Sequence, residues 1–372
     1  EIYRVRCFMV KRLIFFVTCL GIVWGCYHNK ASSIQLEFWA MGAEGEYLDQ
    51  LVPEFEAQNP EIKVKVQTIP WNAAHEKLLT AYAGQSTPDM CQLGNTWLPE
   101  FEAIGALQNL DSLIACSSIV APAKFFPGIW ETNIIHNCVY GISWYVDTRV
   151  LFYRKDILAQ VGYASPPKTW KEWFDVCQKI KKTSRDDNQR YGVFFSTKLN
   201  DWQVPVILIL QNGGRLLTRD NCYAAFDNPR TVEALQYYVK FFREGLAVEN
   251  MTEVANIYQA FSEGVFSMMV TGPWNVNEMR RRVPRIEGRW TTAPMPCKLN
   301  CNSVAGGASL VIFKRSPHKK AAWKFIEFLS KPETQIRFFQ LTKDLPAVKA
   351  AWLSPELQSD PEIRSFYLQL EH

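Results

Sequence analysis

Several common signatures are missing from this 372-residue sequence, and each absence closes a class of chemistry. There is no CxxC pair, and the five histidines (His28, His75, His136, His318 and His372) are scattered, so the spacing of a zinc site is lacking. GxSxG, HExxH, a Walker A loop and a strand-borne GxGxxG are also absent, which removes the usual nucleophile elbow, zinc protease, P-loop and dinucleotide folds. No uncharged run reaches the roughly 20 residues that a bilayer span requires. Nor is there a long Gly/Ser linker, or an internal period of the kind that builds solenoids and propellers. Excess charge is scarce too. Of the formal +4, residues 1–25 carry +3 through Arg4, Arg6, Lys11 and Arg12 against Glu1, so the remainder has no basic footprint for nucleic acid.

What is present begins with an address. Lys11 and Arg12 follow Met9, and residues 13–25 are uncharged and mostly apolar, the pattern of a secretory signal. The run ends in Val23-Trp24-Gly25-Cys26, similar to a bacterial lipobox apart from Trp24, so residues 9–26 are expected to be a lipoprotein-type signal with lipidation at Cys26. Met9 fits the true start. Beyond this segment lie seven cysteines, an odd number. Cys297 and Cys301 are close enough to bridge a loop, and the alternative is that most of the seven are buried as small apolar side chains.

The length suits two domains, each with its own core. Residues 34–39 alternate as a strand, 47–58 read as an amphipathic helix, 62–69 as a half-buried strand and 73–83 as a helix. A third strand is expected at 90–93. This beginning argues for a layered α/β lobe with a largely parallel sheet. Farther on, Thr169 and Glu172 form a capping box for a helix over 170–182. A strand at 266–270 runs into Thr271-Gly-Pro-Trp274, a turn that would project Trp274 from a strand end.

Aromatic residues give the functional signal. The chain holds 13 Trp, and Trp39, Trp97, Trp144 with Tyr145, Trp202 and Trp274 all fall at expected strand ends or just beyond, where open α/β sheets place ligands. A sugar ring offers a flat C–H face that stacks on an indole, while its hydroxyls need amides and carboxylates. Asn95, Asp147 and Asn275 sit beside those aromatics.

At these residues the chain resembles the extracellular solute-binding proteins of ABC transporters, in the carbohydrate group that includes maltose-binding proteins. The resemblance runs through Pro88-Asp89-Met90, Gln92-Leu-Gly-Asn-Thr-Trp97, Tyr140-Gly-Ile-Ser-Trp-Tyr-Val-Asp147, Leu151-Phe-Tyr-Arg-Lys-Asp156, Gly272-Pro-Trp274, Gly306-Gly307 and Ala321-Ala-Trp-Lys-Phe-Ile-Glu-Phe-Leu329. It implies an α/β, two-lobed periplasmic-binding-protein-like fold with a hinge between discontinuous lobes, 34–145 with 308–345 and 149–304 with 349–372. It also implies crossings at 145–149 and 304–310, and a third near Pro346. Trp274 would stack on a sugar, Asp147 accept hydroxyls, Asn95 or Trp97 reach in from the first lobe, and the backbone at Gly306 and Gly307 approach the ligand. Ser143 stands where the family usually has Pro. The family also carries a few tens of residues beyond the equivalent of His372, so the second lobe is expected to be incomplete at its C-terminus.

The resulting expectation is an exported, lipid-anchored, monomeric sugar receptor that serves an ABC permease, without catalysis, cofactor or metal. It would meet the membrane only through its N-terminus. The ligand residues would be Trp39, Asn95, Trp97, Tyr145, Asp147, Trp202, Trp274, Asn275, Gly306 and Gly307. A receptor for a non-sugar solute, a sensory input subunit and an extracellular glycoside hydrolase with two carboxylates are the alternatives.

Overall fold

A computed structural model of the protein describes residues 33–185, 190–197, 201–220, 222–248 and 256–372. The signal-like stretch and Cys26 lie outside the described residues. Twelve strands are found among those described: β1 Ile34–Met41, β2 Ile62–Ile69, β3 Met90–Gly94, β4 Ile134–Ile135, β5 Cys138–Val139, β6 Ile142–Thr148, β7 Val150–Arg154, β8 Tyr191–Phe194, β9 Phe266–Thr271, β10 Trp290–Ala293, β11 Ala305–Ile312 and β12 Leu345–Pro346. One sheet has the order β12-β6-β11-β3-β1-β2 and a second the order β10-β7-β9-β8. A small hairpin pairs β4 with β5.

The first sheet is mixed rather than largely parallel. β1 pairs in parallel with β2 and β3, as its strand–helix–strand sequence dictates, but β11 runs antiparallel to both β3 and β6. The antiparallel half is built from strands distant in sequence, which local periodicity does not register. The single helix expected over 47–58 is two, Gly42–Leu48 and Val52–Gln58, each starting without a side-chain cap. Thr169 does cap its helix, accepting from the Glu172 N–H while Glu172 bonds back to the Lys168 N–H.

Each sheet buries its own aromatic core. Phe325, from the helix Lys319–Leu329, packs edge-on against Phe38 at 5.8 Å and Phe55 at 4.8 Å under the first sheet. Trp173, Phe195 and Phe241 interlock under the second. The chain passes between the sheets where β6 ends at Thr148 and β7 begins at Val150, a single-residue joint at Arg149. It returns through β11. A last passage follows β12, after which the helix Pro361–Leu370 lies on β10 of the second sheet; there Thr292 Oγ1 donates to the Glu362 carbonyl at 2.7 Å and Ser365 Oγ to the Thr292 carbonyl at 3.0 Å. Cys297 and Cys301 form a disulfide across the loop before β11, while Cys91 and Cys177 are buried free thiols.

β6 and β11 therefore form the antiparallel ribbon that joins the two halves. In its register Gly306 faces Asp147 and Gly307 faces Val146. Gly307 has φ 132°, and a Cβ there would fall inside the contact radius of the Tyr145 carbonyl oxygen. Gly307→Ala should cost about 2 kcal/mol or more of unfolding free energy through strain at this position. Urea denaturation measures it, and a loss under about 0.5 kcal/mol would contradict the account.

Candidate functional site: an acid-lined cleft between two sheets

A cavity of about 540 Å³ opens over the β6–β11 ribbon. Its floor is Tyr145, Asp147, Val304, Ala305, Gly306 and Gly307. The floor is stitched from both sides of the joint: Thr148 Oγ1 donates to the Val304 carbonyl at 2.8 Å, and Ser303 Oγ to the Arg149 carbonyl at 2.8 Å. One wall comes from the first sheet. The turn after β3 brings Asn95, Thr96 and Trp97 to the cavity, with the Asn95 N–H on the Gly307 carbonyl at 3.3 Å. Trp71, just beyond β2, meets Trp97 edge to face at 5.6 Å, and His75, bonded to Glu100 at 2.6 Å, backs the Trp97 ring at 5.1 Å.

The opposite wall comes from the second sheet. Trp202 and Gln203 stand at the start of the helix Gln203–Gln211, and Trp274 opens the helix Trp274–Arg282. Both indoles are about half exposed, at 49% and 45%. Such large apolar faces left open to water in a concave site are what a stacking ligand would cover. Arg149 lies over the Trp274 ring, 4.6 Å from its centre, and its Nη1 donates to Asp147 Oδ1 at 2.9 Å.

Three carboxylates meet this space. Glu44 accepts from Tyr145 Oη at 2.9 Å; Tyr145 Oη accepts from Gln92 Nε2 at 3.1 Å; and Gln92 Oε1 holds the Met41 N–H at 2.7 Å. This chain fixes the Glu44 carboxyl from the end of β1. Burial pushes the Glu44 pKa up, opposed by hydrogen bonds that include those from Tyr145 and Trp71. Asp344, next to the left-handed Lys343, is pushed well above the ordinary carboxylate range by burial and then by the Glu44 charge. The Tyr145 phenol rises for the same two reasons. Among the described residues no group of three or more His, Cys, Asp or Glu side chains is arranged to hold a metal.

Eight of the ten residues singled out in the sequence border this cavity: Asn95, Trp97, Tyr145, Asp147, Trp202, Trp274, Gly306 and Gly307. Trp39 and Asn275 do not. Trp39 is a β1 side chain packed beside the cluster of Leu78 and Leu93, with Lys77 over its ring at 4.8 Å. Asn275 is buried, accepting from Tyr258 Oη at 2.7 Å and donating to Thr271 Oγ1 at 2.6 Å, where it braces the Trp274 turn. Trp144 is likewise core, stacked on Phe338 at 4.5 Å. The sequence reading missed Glu44, Trp71, Arg149 and Asp344. Trp71 carries the same signal as the others, an indole directly after a strand. Glu44 and Asp344 carry none, being single acids in segments brought together only by the first sheet.

Comparison with known proteins places this architecture. The family described as bacterial extracellular solute-binding protein matches residues 40–336. The solved sugar-binding protein MalE of Xanthomonas citri is 44% identical, with 91% of this chain and 85% of that one covered and a TM-score of 0.86. An ABC-transporter solute-binding protein of Thermotoga lettingae, solved with α-D-tagatose, is 26% identical over 90% of this chain and 87% of that one, at a TM-score of 0.73. A putative binding protein of Brucella abortus is 24% identical over 306 residues, 81% of this chain and 72% of that protein.

The raised carboxyls make the cleft a source of pH-dependent instability. Glu44 and Asp344 hold protons more tightly folded than unfolded, so stability falls as pH rises from the ordinary carboxylate range through their raised folded values. Asp344→Asn removes one such group. Its melting-temperature advantage over the parent should be smallest at pH 4 and grow to roughly 1–4 °C at pH 8. Scanning calorimetry at both pH values tests this, and an equal advantage at both would refute it.

Proposed function

Since this chain belongs to the bacterial extracellular solute-binding proteins, two-lobed receptors of ABC transporters that bind without catalysis, we propose that its cleft captures a short oligosaccharide by lobe closure. The lobes would be 34–145 with 308–345 and 149–304 with 349–372, turning about the β6–β11 ribbon and the passage after β12. One observation carries the reading: indoles from both sheets, Trp202 and Trp274 about half exposed and Trp71 about a third, line a single cavity whose floor and edges supply carboxylates. Trp274 and Trp202 would stack on sugar faces from one side, Trp97 and Trp71 from the other. Asp147, Glu44 and Asp344 would accept hydroxyl hydrogen bonds, and the open backbone at Gly306 would let a ring approach closely.

Closure then follows from differential contact. A sugar touching both walls gains its full set of contacts only when the lobes are shut, so binding shifts the population toward the closed form by that difference. The closed form is what the permease would receive. Among the described residues no helix is long and apolar enough to cross a membrane. The lipobox-like sequence supports tethering of a monomeric receptor through Cys26.

Calorimetric titration of the mature protein with maltose, trehalose, other disaccharides and tagatose tests the ligand class. At least one sugar should bind, and Trp274→Ala should weaken it by about tenfold, the value of a well-packed ring contact. No heat with any sugar, from folded protein, would overturn the reading. For the anchor, Cys26→Ser should move the protein from the membrane fraction to the soluble exported fraction; unchanged partitioning would rule lipidation out.

A further inference from the structure

The Trp274 indole presents a wide exposed face from a turn, yet it has a defined orientation. Two contacts set it. Gly272 lies under the benzo edge, so close that a Cβ at that position would overlap ring atoms Cζ3, Cη2 and Cε3. Arg149 covers one ring face, with its guanidinium carbon 4.6 Å from the ring centre. The Arg149 side chain is only 15% exposed and is itself oriented by the 2.9 Å ion pair with Asp147. Its carbonyl is held by Ser303 Oγ at 2.8 Å, so both ends of the residue are fixed.

The position of these groups gives the contact its meaning. Asp147 belongs to β6, in the first sheet. Arg149 is the one residue between β6 and β7, and Trp274 follows β9, whose Thr271 pairs with Val150 of β7. The series Asp147, Arg149, Trp274 therefore runs from the joint between the lobes onto the second sheet. Held this way, the indole loses its rotamer freedom before a ligand arrives, and the Asp147 carboxylate, which borders the cavity, is tied through Oδ1 to Arg149.

We propose that Arg149 is a positioning residue for ligand binding, holding the Trp274 ring and the Asp147 carboxylate in one fixed relation across the joint between the lobes. The proposal rests on the sugar-receptor reading for its purpose, though the positioning itself can be tested without any sugar. A guanidinium suits the task because its planar face covers the indole while its edge donates to the carboxylate; an ammonium offers only a point charge.

The experiment has two readouts. In 5-fluorotryptophan-labelled, ligand-free protein, the ¹⁹F line absent from Trp274→Phe identifies residue 274. Arg149→Met should shift and broaden that line, Arg149→Lys should move it less, and the remaining tryptophan lines should stay in place. An unmoved line in Arg149→Met would overturn the proposal whether or not any sugar binds. Should the methionine variant fail to fold, the lysine variant decides: its line should still move from the parent position, and an unmoved line would overturn the proposal.

The second readout is a double-mutant cycle on maltose affinity by calorimetry. Arg149→Met should weaken binding roughly three- to thirtyfold, the range of a partly desolvated cation–π contact, and by a clearly smaller factor in a Trp274→Ala background, where only its hold on Asp147 is lost. An equal loss in both backgrounds would show that Arg149 acts independently of the indole and would refute the proposal. If maltose does not bind the parent protein, the choice of sugar fails, while the fluorine line still decides the role of Arg149.

Discussion

The antiparallel pairing of β6 with β11 is the constraint on which the rest of the molecule depends. It lies inside the first sheet, between β12 and β3, and also bridges to the second, so its register fixes which side chains stand at the floor of the cleft. Asp147 faces Gly306, and the Tyr145 carbonyl presses so closely on Gly307 that no side chain fits. A sheet ribbon resists sliding, because slippage by one residue would turn every side chain to the other face. In the proposed closure the lobes would rotate about the few dihedrals on either side of Arg149 and Val304. Such a joint combines a fixed floor with movable walls, which a closing receptor needs.

The walls use glycine and tryptophan together. Trp97 lies over Gly94, where a Cβ would be 3.4 Å from its ring; Trp71 crowds Gly42; and Trp274 rests on Gly272. Each indole is seated on backbone that has no side chain to push it away. The arrangement holds large rigid rings in defined orientations with few rotatable bonds, so little conformational freedom remains to be lost when a flat ligand docks. Solvent exposure of these rings is therefore a property of the site and does not signal poor packing.

The acids work against stability and toward recognition. The Glu44 and Asp344 charges repel one another, among the described residues neither forms an ion pair, and Arg149 is committed to Asp147. Burying carboxyls without ion partners destabilises the protein, and such groups gather at functional sites. The Gln92–Tyr145–Glu44 chain holds the Glu44 carboxyl in place and partly offsets the rise that burial imposes on it, while the Glu44 charge adds to the rise of the Tyr145 phenol.

What the sequence determined alone was local and periodic. The strands β1 and β2 are legible from alternation, the helix Trp170–Lys181 from its capping box, and Trp97, Trp202 and Trp274 from their places at strand ends. The order of Asn95, Asp147 and Gly306-Gly307 along the chain carried the family likeness. Tertiary structure decided the remainder. Trp39 and Asn275 share the aromatic or amide chemistry of a sugar site, yet pleat direction turns the first into a packed cluster and hydrogen bonding to Tyr258 and Thr271 claims the second. Trp71, Glu44, Arg149 and Asp344 reach the cleft from four segments up to 300 residues apart, assembled by strand order in the first sheet and by the joint. Composition and spacing report which groups a segment can offer. Which of them converge depends on pairing between distant strands, and that information resides in burial and register.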